Sequence, residues 1–143
     1  MVVYHGIQAV ELFGLDVEGI YRIAGAALRV NALRDAFTNN ALAPDFRNPV
    51  NFYHDVNSVA TLLKQFFRDL PDPLLTSQVY NAFIDAARMD HESQRRDALH
   101  LQVNDLPNLN YVTLRAVMLH LHRMSLYKNR NHIGTSNLAI CFA

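Results

Sequence analysis

Residues 59–75 read VATLLKQFFRDLPDPLL, and this stretch decides the fold. Its apolar residues recur at the three- and four-residue spacing of a helix that buries one face. Asp55, a few residues upstream, can cap this helix because its carboxylate can accept hydrogen bonds from the free backbone amides of the first turn. Pro71 and Pro73 prevent the helix from continuing. The sequence therefore predicts an amphipathic helix over residues 56–70.

Outward from this stretch, the same helical spacing recurs in both directions along the chain. It predicts helices over the first residues up to Gly14, Ala26–Phe37, Ser77–Arg88, His91–Val103 and Leu109–Ser125, and a last helix that begins near Thr135. Asp90 is the candidate cap of the fourth of these helices. We expect Tyr80 and Met118 to point inward with their apolar neighbours. Because no segment shows sustained two-residue alternation of β-branched residues, the sequence predicts an all-α fold.

Two segments are predicted to lack regular structure. Asn39–His54 shows no clean periodicity, and Pro44 and Pro49 argue against a helix there. A loop of this length is uncommon unless it serves a function. The second segment contains Lys128 and Arg130 with their asparagine neighbours, and we interpret it as a solvated loop.

The overall composition limits the possible functions. The 143 residues fit one domain, and thirteen basic residues balance thirteen acidic ones. This balance argues against a general nucleic-acid or membrane-surface binder, which carries a large positive field. No stretch approaches the ~20 apolar residues that cross a bilayer, so we expect no direct membrane insertion. Cys141 is the single cysteine, which excludes an intrachain disulfide and favours a cytoplasmic location.

The segment Gly14–Gly25 is predicted to be a shaped loop, and we expect Glu18 and Gly19 to be its structural residues. Arg22 lies in a mostly apolar run of this loop, so its neighbours can anchor while the guanidinium projects. A guanidinium offers a permanently charged, planar fork that suits phosphate. The alternative is that Arg22 pairs with Glu18 or Asp16 and only fixes the loop.

Lys64 and Arg68 form a second cationic feature, on the predicted helix over residues 56–70. They are separated by only about 40° around the helix axis and therefore share a face. Like charges at this spacing destabilise an isolated helix by about 0.2–0.5 kcal/mol, which favours an anionic partner opposite them. The alternative is that both are solvated side chains whose stems cover apolar surface.

Seven histidines invite a test for a metal site. His120 and His122 would lie about 200° apart on a helix, so they cannot bind one ion together. His54 and His132 lie in different segments, and Cys141 has the apolar setting of a packed thiol. We therefore predict no metal site. No glycine-rich phosphate-binding motif is present either, so we expect the chain to bind no nucleotide unaided.

Three blocks of the sequence closely resemble the Rho GTPase-activating (RhoGAP) domain family. They are residues 14–22 (GLDVEGIYR), residues 59–75, and Asn131 followed by residues 137–140 (NLAI). The blocks stand in the order found in the family, and the resemblance covers essentially the whole chain. It implies a single-domain helical bundle of the RhoGAP type over residues 1–143.

The resemblance also implies roles for individual residues. Arg22 matches the arginine finger, Lys64 and Arg68 match residues that support the loop and the interface, and Asn137 matches a residue that helps hold the partner and the loop. Asn131 matches a second family asparagine. By this resemblance the chain is not a complete enzyme and has no cofactor of its own. Its partner, a Rho-, Rac- or Cdc42-type small GTPase, carries GTP and Mg²⁺, and the chain supplies an arginine in trans.

Two alternatives remain open at this point. One is a non-catalytic module of the same fold that binds Rho-family proteins, and the other is a helical scaffold for an unrelated peptide or lipid headgroup. The family usually continues beyond the Asn-Leu-Ala block, whereas this chain ends at Ala143. We therefore expect a core fragment of a longer protein, truncated at its C-terminal end, with recruitment to a membrane or the cytoskeleton left to regions outside this chain.

Overall fold

The computed structural model of the protein describes residues 2–39 and 44–143. The α-helices in them are α1 (Val2–Phe13), α2 (Ala27–Asn39), α3 (Val56–Arg68), α4 (Tyr80–Ala87), α5 (Glu92–Asn104), α6 (Asn108–Leu126), α7 (Lys128–Asn131) and α8 (Thr135–Phe142). A 3₁₀ helix covers Pro49–Phe52. Across these described residues no β-strand is present, and the all-α prediction is confirmed. None of the described helices is long and apolar enough to span a membrane.

Helix α3 is the amphipathic helix predicted from residues 59–75, and Asp55 caps it as predicted. The Asp55 carboxylate accepts hydrogen bonds from Ser58 N at 3.4 Å and from Ser58 Oγ at 2.6 Å. Burial opposes the charge on Asp55, but hydrogen bonds from Ser58 and Arg29 outweigh burial and hold the pKa of this carboxyl below its usual value. The start of α3 is therefore fixed by a charged cap that faces the positive end of the helix dipole.

By its contacts the chain divides into two compact units, and the first consists of residues 2–39, 44–69 and 117–143. Helices α1 and α2 both pack against α3 in this unit. The apolar side chains that are fully buried at its centre include Val10, Ile20, Val59, Leu63, Met124 and Ile133. Burying a side chain of this size contributes about 1.5–3 kcal/mol, so these residues form a rigid base for the loops of the unit.

The second unit consists of residues 70–116, in which α4 packs against α5. Its buried apolar side chains include Phe83, Ala86 and Leu106. Asn110 Nδ2 donates a hydrogen bond to Leu74 O at 2.9 Å and so ties the start of α6 to the segment before α4. Helix α6 begins in this unit and ends in the first one.

The buried row of α6 differs from the predicted one. Val117, His120 and Met124 are buried, whereas Met118, which was predicted to point inward, is 55% exposed. Apolar residues stand next to each other at positions 117 and 118, so hydropathy alone does not decide which row faces the core. The buried row contains His120, so a search for apolar residues alone does not find it.

The starts of α4 and α5 also differ from prediction. Helix α4 begins at Tyr80 rather than at Ser77, and Tyr80 is 61% exposed rather than inward. As the first residue of the helix, Tyr80 precedes the turn that carries the buried Phe83. Asp90 does not cap α5, because the helix starts one residue later and His91 takes the cap position without a side-chain hydrogen bond.

The predicted irregular segment Asn39–His54 contains a short helix. Residues 40–43 lie outside the described residues, and Pro49–Phe52 form the 3₁₀ helix. Asn48 caps it by accepting a hydrogen bond from Val50 N at 3.1 Å. The proline at the first helical position has no amide that would need a partner, so proline opens this helix although it would interrupt a longer one.

Two further boundaries correct the prediction. The segment with Lys128 and Arg130, interpreted as a loop, forms the single turn of α7. A helix this short holds too few residues to show an apolar period. Helix α3 ends at Arg68 and not at Leu70, because the residue before Pro71 is disfavoured in the helical region of backbone space.

Candidate functional site

The Gly14–Gly25 loop connects α1 to α2 within the first unit. It is tied down at Gly19, whose backbone N donates to Asn131 O at 2.9 Å, and at Ile20, which is fully buried. Gly19 has a φ of 74°, and a Cβ at this residue would lie 2.5 Å from Ile23 Cδ1. Glycine alone accepts this backbone conformation without strain and leaves the space free, so the loop geometry requires glycine here.

The loop ends against α3 at Gly25. Its backbone N donates a hydrogen bond to Thr61 Oγ1 at 3.0 Å. A Cβ at Gly25 would lie 2.3 Å from Ser58 Cα and 2.5 Å from Ser58 N, so the loop backbone touches the backbone of α3. Both ends of the segment around Arg22 are therefore fixed to the rest of the unit.

Tyr21, the residue before Arg22, is fully buried and has a φ of 69°. This left-handed conformation costs a non-glycine residue about 1–2 kcal/mol. Three contacts offset that cost. Lys64 Nζ donates to Tyr21 O, the Tyr21 hydroxyl is hydrogen-bonded to His120 Nε2 at 2.6 Å, and the Tyr21 ring packs edge-on against Phe142 with centroids 4.8 Å apart. Tyr21 is thus a fixed base for the side chain that follows it.

Arg22 itself is exposed, and its backbone N donates to Gly19 O at 2.9 Å. In the part of the chain that the structure describes, its guanidinium makes no ion pair. Asp16 and Glu18 are both exposed, and neither pairs with Arg22. The geometry therefore does not support the alternative in which Arg22 only fixes the loop through an acidic neighbour.

Lys64 and Arg68 have different surroundings although both lie on α3. Lys64 is half-buried and donates to Tyr21 O, which ties α3 to the residue before Arg22. Arg68 is exposed in the last turn of α3, where its charge complements the negative end of the helix dipole. Over residues 2–39 and 44–143, the Arg68 guanidinium makes no ion pair or hydrogen bond. Of the two side chains, Lys64 is the one for which the structure shows a hydrogen bond to the loop.

The two asparagines also differ in position. Asn131 is fully buried, and its Nδ2 donates to Leu15 O at 2.9 Å and to Met124 O at 3.1 Å. Its backbone O accepts the hydrogen bond from Gly19 N, so Asn131 holds the Gly14–Gly25 loop at two points. Asn137 is half-buried at the start of α8, where its Oδ1 accepts from Gly134 N at 3.3 Å.

A polar network behind Tyr21, which reaches from the buried His120 to the surface, was not predicted from the sequence. His120 is fully buried, with Nε2 against the Tyr21 hydroxyl and Nδ1 3.0 Å from Glu11 Oε1. Arg123 Nη1 donates to the same Glu11 oxygen at 2.7 Å. Burial lowers the pKa of His120, an effect that Glu11 opposes, and burial together with the charge of Glu11 raises the pKa of Tyr21 well above its usual value.

The signal that could have found this network is a histidine at a core position of α6. The sequence pattern had presented His120 only as a poor metal ligand beside His122. The structure places the His120 side chain in the core and the His122 side chain in solvent. Within the described ranges no group of three or more histidine, cysteine, aspartate or glutamate side chains could hold a metal ion. Cys141 is half-buried against the apolar core.

Comparison of the sequence with known proteins identifies relatives over nearly the whole chain. The probable Rho-GTPase-activating protein 7 of Schizosaccharomyces pombe is 43% identical over 139 residues, which are 97% of this chain and 20% of that protein. Mouse beta-chimaerin is 35% identical over 142 residues, which are 99% of this chain and 42% of that protein. The chain therefore spans less than half of the length of either relative.

Solved structures show the same fold. The crystal structure of human Rho GTPase activating protein 15 superimposes with a TM-score of 0.92 at 31% identity, covering 99% of this chain and 65% of that one. The BH domain of GRAF, the GTPase regulator associated with focal adhesion kinase, superimposes with a TM-score of 0.88 at 28% identity, covering 99% of this chain and 74% of that one. The family model of the RhoGAP domain matches residues 1–143. This chain belongs to the RhoGAP domain family.

Proposed function

We propose that the chain binds GTP-loaded small G proteins of the Rho, Rac or Cdc42 type and accelerates their GTP hydrolysis by inserting Arg22. One observation carries this proposal. The Arg22 guanidinium is exposed and, among the described residues, makes no ion pair, while the residue before it is buried and anchored. Such a side chain is held at its base, and no acidic group of the described residues engages its charged end. Family membership and the names of the relatives support the same activity.

The chemistry of phosphoryl transfer explains why this chain would need to supply only an arginine to the reaction. The transition state spreads negative charge over the phosphate oxygens, and catalysis consists mainly of positioning and of stabilising that charge. In this proposal Arg22 donates its guanidinium hydrogens to those oxygens. The partner carries GTP and Mg²⁺ and orients the attacking water with its own glutamine. The chain then needs neither a cofactor nor a complete active site of its own.

The other predicted residues take supporting roles in the proposal. Lys64 holds the carbonyl of Tyr21, and Asn131 holds the Gly14–Gly25 loop from the other side. Arg68 and Asn137 are proposed to contact the G protein, whose binding would supply the anionic group that the exposed Arg68 lacks among residues 2–39 and 44–143. A cytoplasmic site of action belongs to the same proposal.

The test is single-turnover GTP hydrolysis by a panel of Rho, Rac and Cdc42 proteins. Arginine fingers contribute about 10³–10⁵ in rate, so Arg22→Ala is expected to lose most of the acceleration. Arg22→Lys is expected to lose most of it too, because it keeps the charge but not the planar fork. Arg96→Ala is a matched control, since this exposed arginine lies in α5 and pairs with its neighbour Asp97. We expect it to match the wild type.

The outcomes separate the proposal from its alternatives. Acceleration by the wild type and by Arg96→Ala, with loss in both Arg22 variants while binding persists, supports the finger mechanism. Binding without acceleration by the wild type indicates a non-catalytic module. No binding to any member of the panel indicates a scaffold for another ligand. Full acceleration by Arg22→Ala overturns the mechanism.

A further inference from the structure

A line of hydrogen bonds connects the protein surface to the residue before Arg22. It starts at the Arg123 guanidinium, passes through Glu11 Oε1 at 2.7 Å, and reaches His120 Nδ1 at 3.0 Å from the same oxygen. From His120 Nε2 it continues to the Tyr21 hydroxyl at 2.6 Å. The two members nearest to Arg22, His120 and Tyr21, are fully buried. Neither the proposed finger chemistry nor the support from Lys64 uses this line.

The proton positions along the line follow from the groups themselves. The Glu11 carboxylate only accepts hydrogen bonds, so His120 Nδ1 must carry the proton that faces it. Burial keeps the imidazole neutral by lowering its pKa, and His120 Nε2 is then a free acceptor. The Tyr21 hydroxyl keeps its proton because its own pKa is raised, and it donates to His120 Nε2. Each of these buried polar groups therefore has a partner of the right kind.

This arrangement fixes Tyr21 at both ends. Lys64 holds its backbone carbonyl, and His120 holds the hydroxyl at the far end of the ring. The φ of Tyr21 is in the left-handed region, which a tyrosine leaves unless its surroundings hold it there. A return to an ordinary φ would turn the following peptide and redirect the Arg22 side chain.

We propose that His120 is a positioning residue for Arg22. His120 accepts the hydrogen bond from the Tyr21 hydroxyl and so keeps Tyr21 in its left-handed conformation. This inference rests on the function proposed above for Arg22. It predicts that loss of the His120–Tyr21 bond weakens transition-state stabilisation more than G-protein binding, because the contacts outside the Gly14–Gly25 loop persist.

The first experiment measures kcat and KM for GTP hydrolysis with the G protein that the panel selects. Tyr21→Phe and His120→Leu remove the bond from either side, and kcat is expected to fall about tenfold or more, since small misplacements of a catalytic group have large effects. KM is expected to change less than kcat. His120→Gln keeps an acceptor for the hydroxyl and a donor for Glu11, and it is expected to recover part of kcat. His122→Leu, in the same helix but exposed, is the matched control and is expected to leave kcat unchanged.

The second experiment measures amide hydrogen exchange in the chain without any G protein. The reporters are the amides of Gly19 and Arg22, whose hydrogen bonds to Asn131 O and Gly19 O define the loop. Their exchange is expected to become faster in His120→Leu and in Tyr21→Phe. The amide of Asp69, which donates to Gln65 O at 2.8 Å at the end of α3, is expected to stay protected.

The two experiments distinguish failure of this inference from failure of the proposed function. Unchanged kcat and unchanged loop exchange in both variants would refute the role of His120. Faster exchange at Asp69 to the same extent as in the loop would also refute it, because the effect would then be general destabilisation. If His120→Leu does not fold, Tyr21→Phe decides, since it removes a single hydroxyl. If the wild type accelerates no hydrolysis, the proposed function fails, and loop exchange still decides whether His120 holds the loop.

Discussion

Replacing Gly25 with alanine should destabilise the chain because there is no space for a single methyl group. The new Cβ would lie 2.3 Å from Ser58 Cα and 2.5 Å from Ser58 N. Carbon atoms in contact prefer about 3.5–4.0 Å, so the loop and α3 would have to separate by more than about 1 Å. The atoms in the way belong to the backbone of the first turn of α3, which Asp55 caps, and no change of rotamer removes them.

The magnitude of the effect follows from two contributions. Forcing a methyl group into a closely packed site costs about 1–3 kcal/mol. The separation also breaks the hydrogen bond from Gly25 N to Thr61 Oγ1, which is worth about 0.5–1.5 kcal/mol net. We therefore expect Gly25→Ala to lower the free energy of unfolding by about 1.5–4.5 kcal/mol. This is a large part of the roughly 5–15 kcal/mol that holds a typical domain together.

Urea denaturation monitored by circular dichroism measures this loss of stability. Gly6→Ala is the matched control. Gly6 lies in α1, where a Cβ would meet Leu63 Cδ1 at 3.3 Å, the end of a flexible side chain. Alanine is the better helix former by about 0.5–1 kcal/mol, which offsets the small adjustment of Leu63. We expect Gly6→Ala to change the free energy of unfolding by less than about 1 kcal/mol. A Gly25→Ala chain as stable as the wild type, or equal losses in both variants, would refute the argument from close approach.

Three further predictions concern other parts of the first unit. Asp55→Ala is expected to cost about 0.5–2 kcal/mol in urea denaturation, because it removes the cap of α3. The burial-lowered pKa of His120 predicts that the free energy of unfolding is maintained above a pH of about 6.5 and declines as the pH falls from there through the lowered pKa, since the unfolded chain binds the proton more readily. In His120→Gln, the free energy of unfolding measured by denaturation should change less steeply with pH across this range. Lys64→Met keeps the apolar stem but loses the bond to Tyr21 O. We expect single-turnover GTP hydrolysis to slow clearly while the thermal midpoint of unfolding changes little.

Apolar residues at three- and four-residue spacing, together with the glycines and prolines between them, allowed most of the helices to be predicted from the sequence. Helix α3 was predicted best because its spacing, its cap at Asp55 and the prolines that follow it all indicate the same element. The prediction was wrong where two signals competed and where no apolar row existed. Val117 and Met118 offered two equal rows on α6, and the single turn of α7 had no row at all.

The loop was predictable as a loop, but its fixation was not. The glycines at 19 and 25 indicate turns and close approaches, yet the sequence does not say which atoms come near. The bond from Lys64 to Tyr21 O joins residues 43 apart in the chain, and the bond from Tyr21 to His120 joins residues 99 apart. Contacts at such separations depend on where Lys64 of α3 and His120 of α6 lie relative to the loop, which local spacing does not encode.

The contrast between Tyr21 and Arg22 explains how a rigid loop could present the arginine that we propose acts on a partner. An arginine that acts on a partner must present its charge without first breaking an ion pair of its own, and an exposed pair is in any case worth only about 0–1 kcal/mol. Leaving Arg22 unpaired with Asp16 and Glu18 therefore costs the fold little. The direction of the side chain has to come from the backbone instead. The strained, buried Tyr21 supplies that direction, because every contact that fixes it also fixes the origin of Arg22.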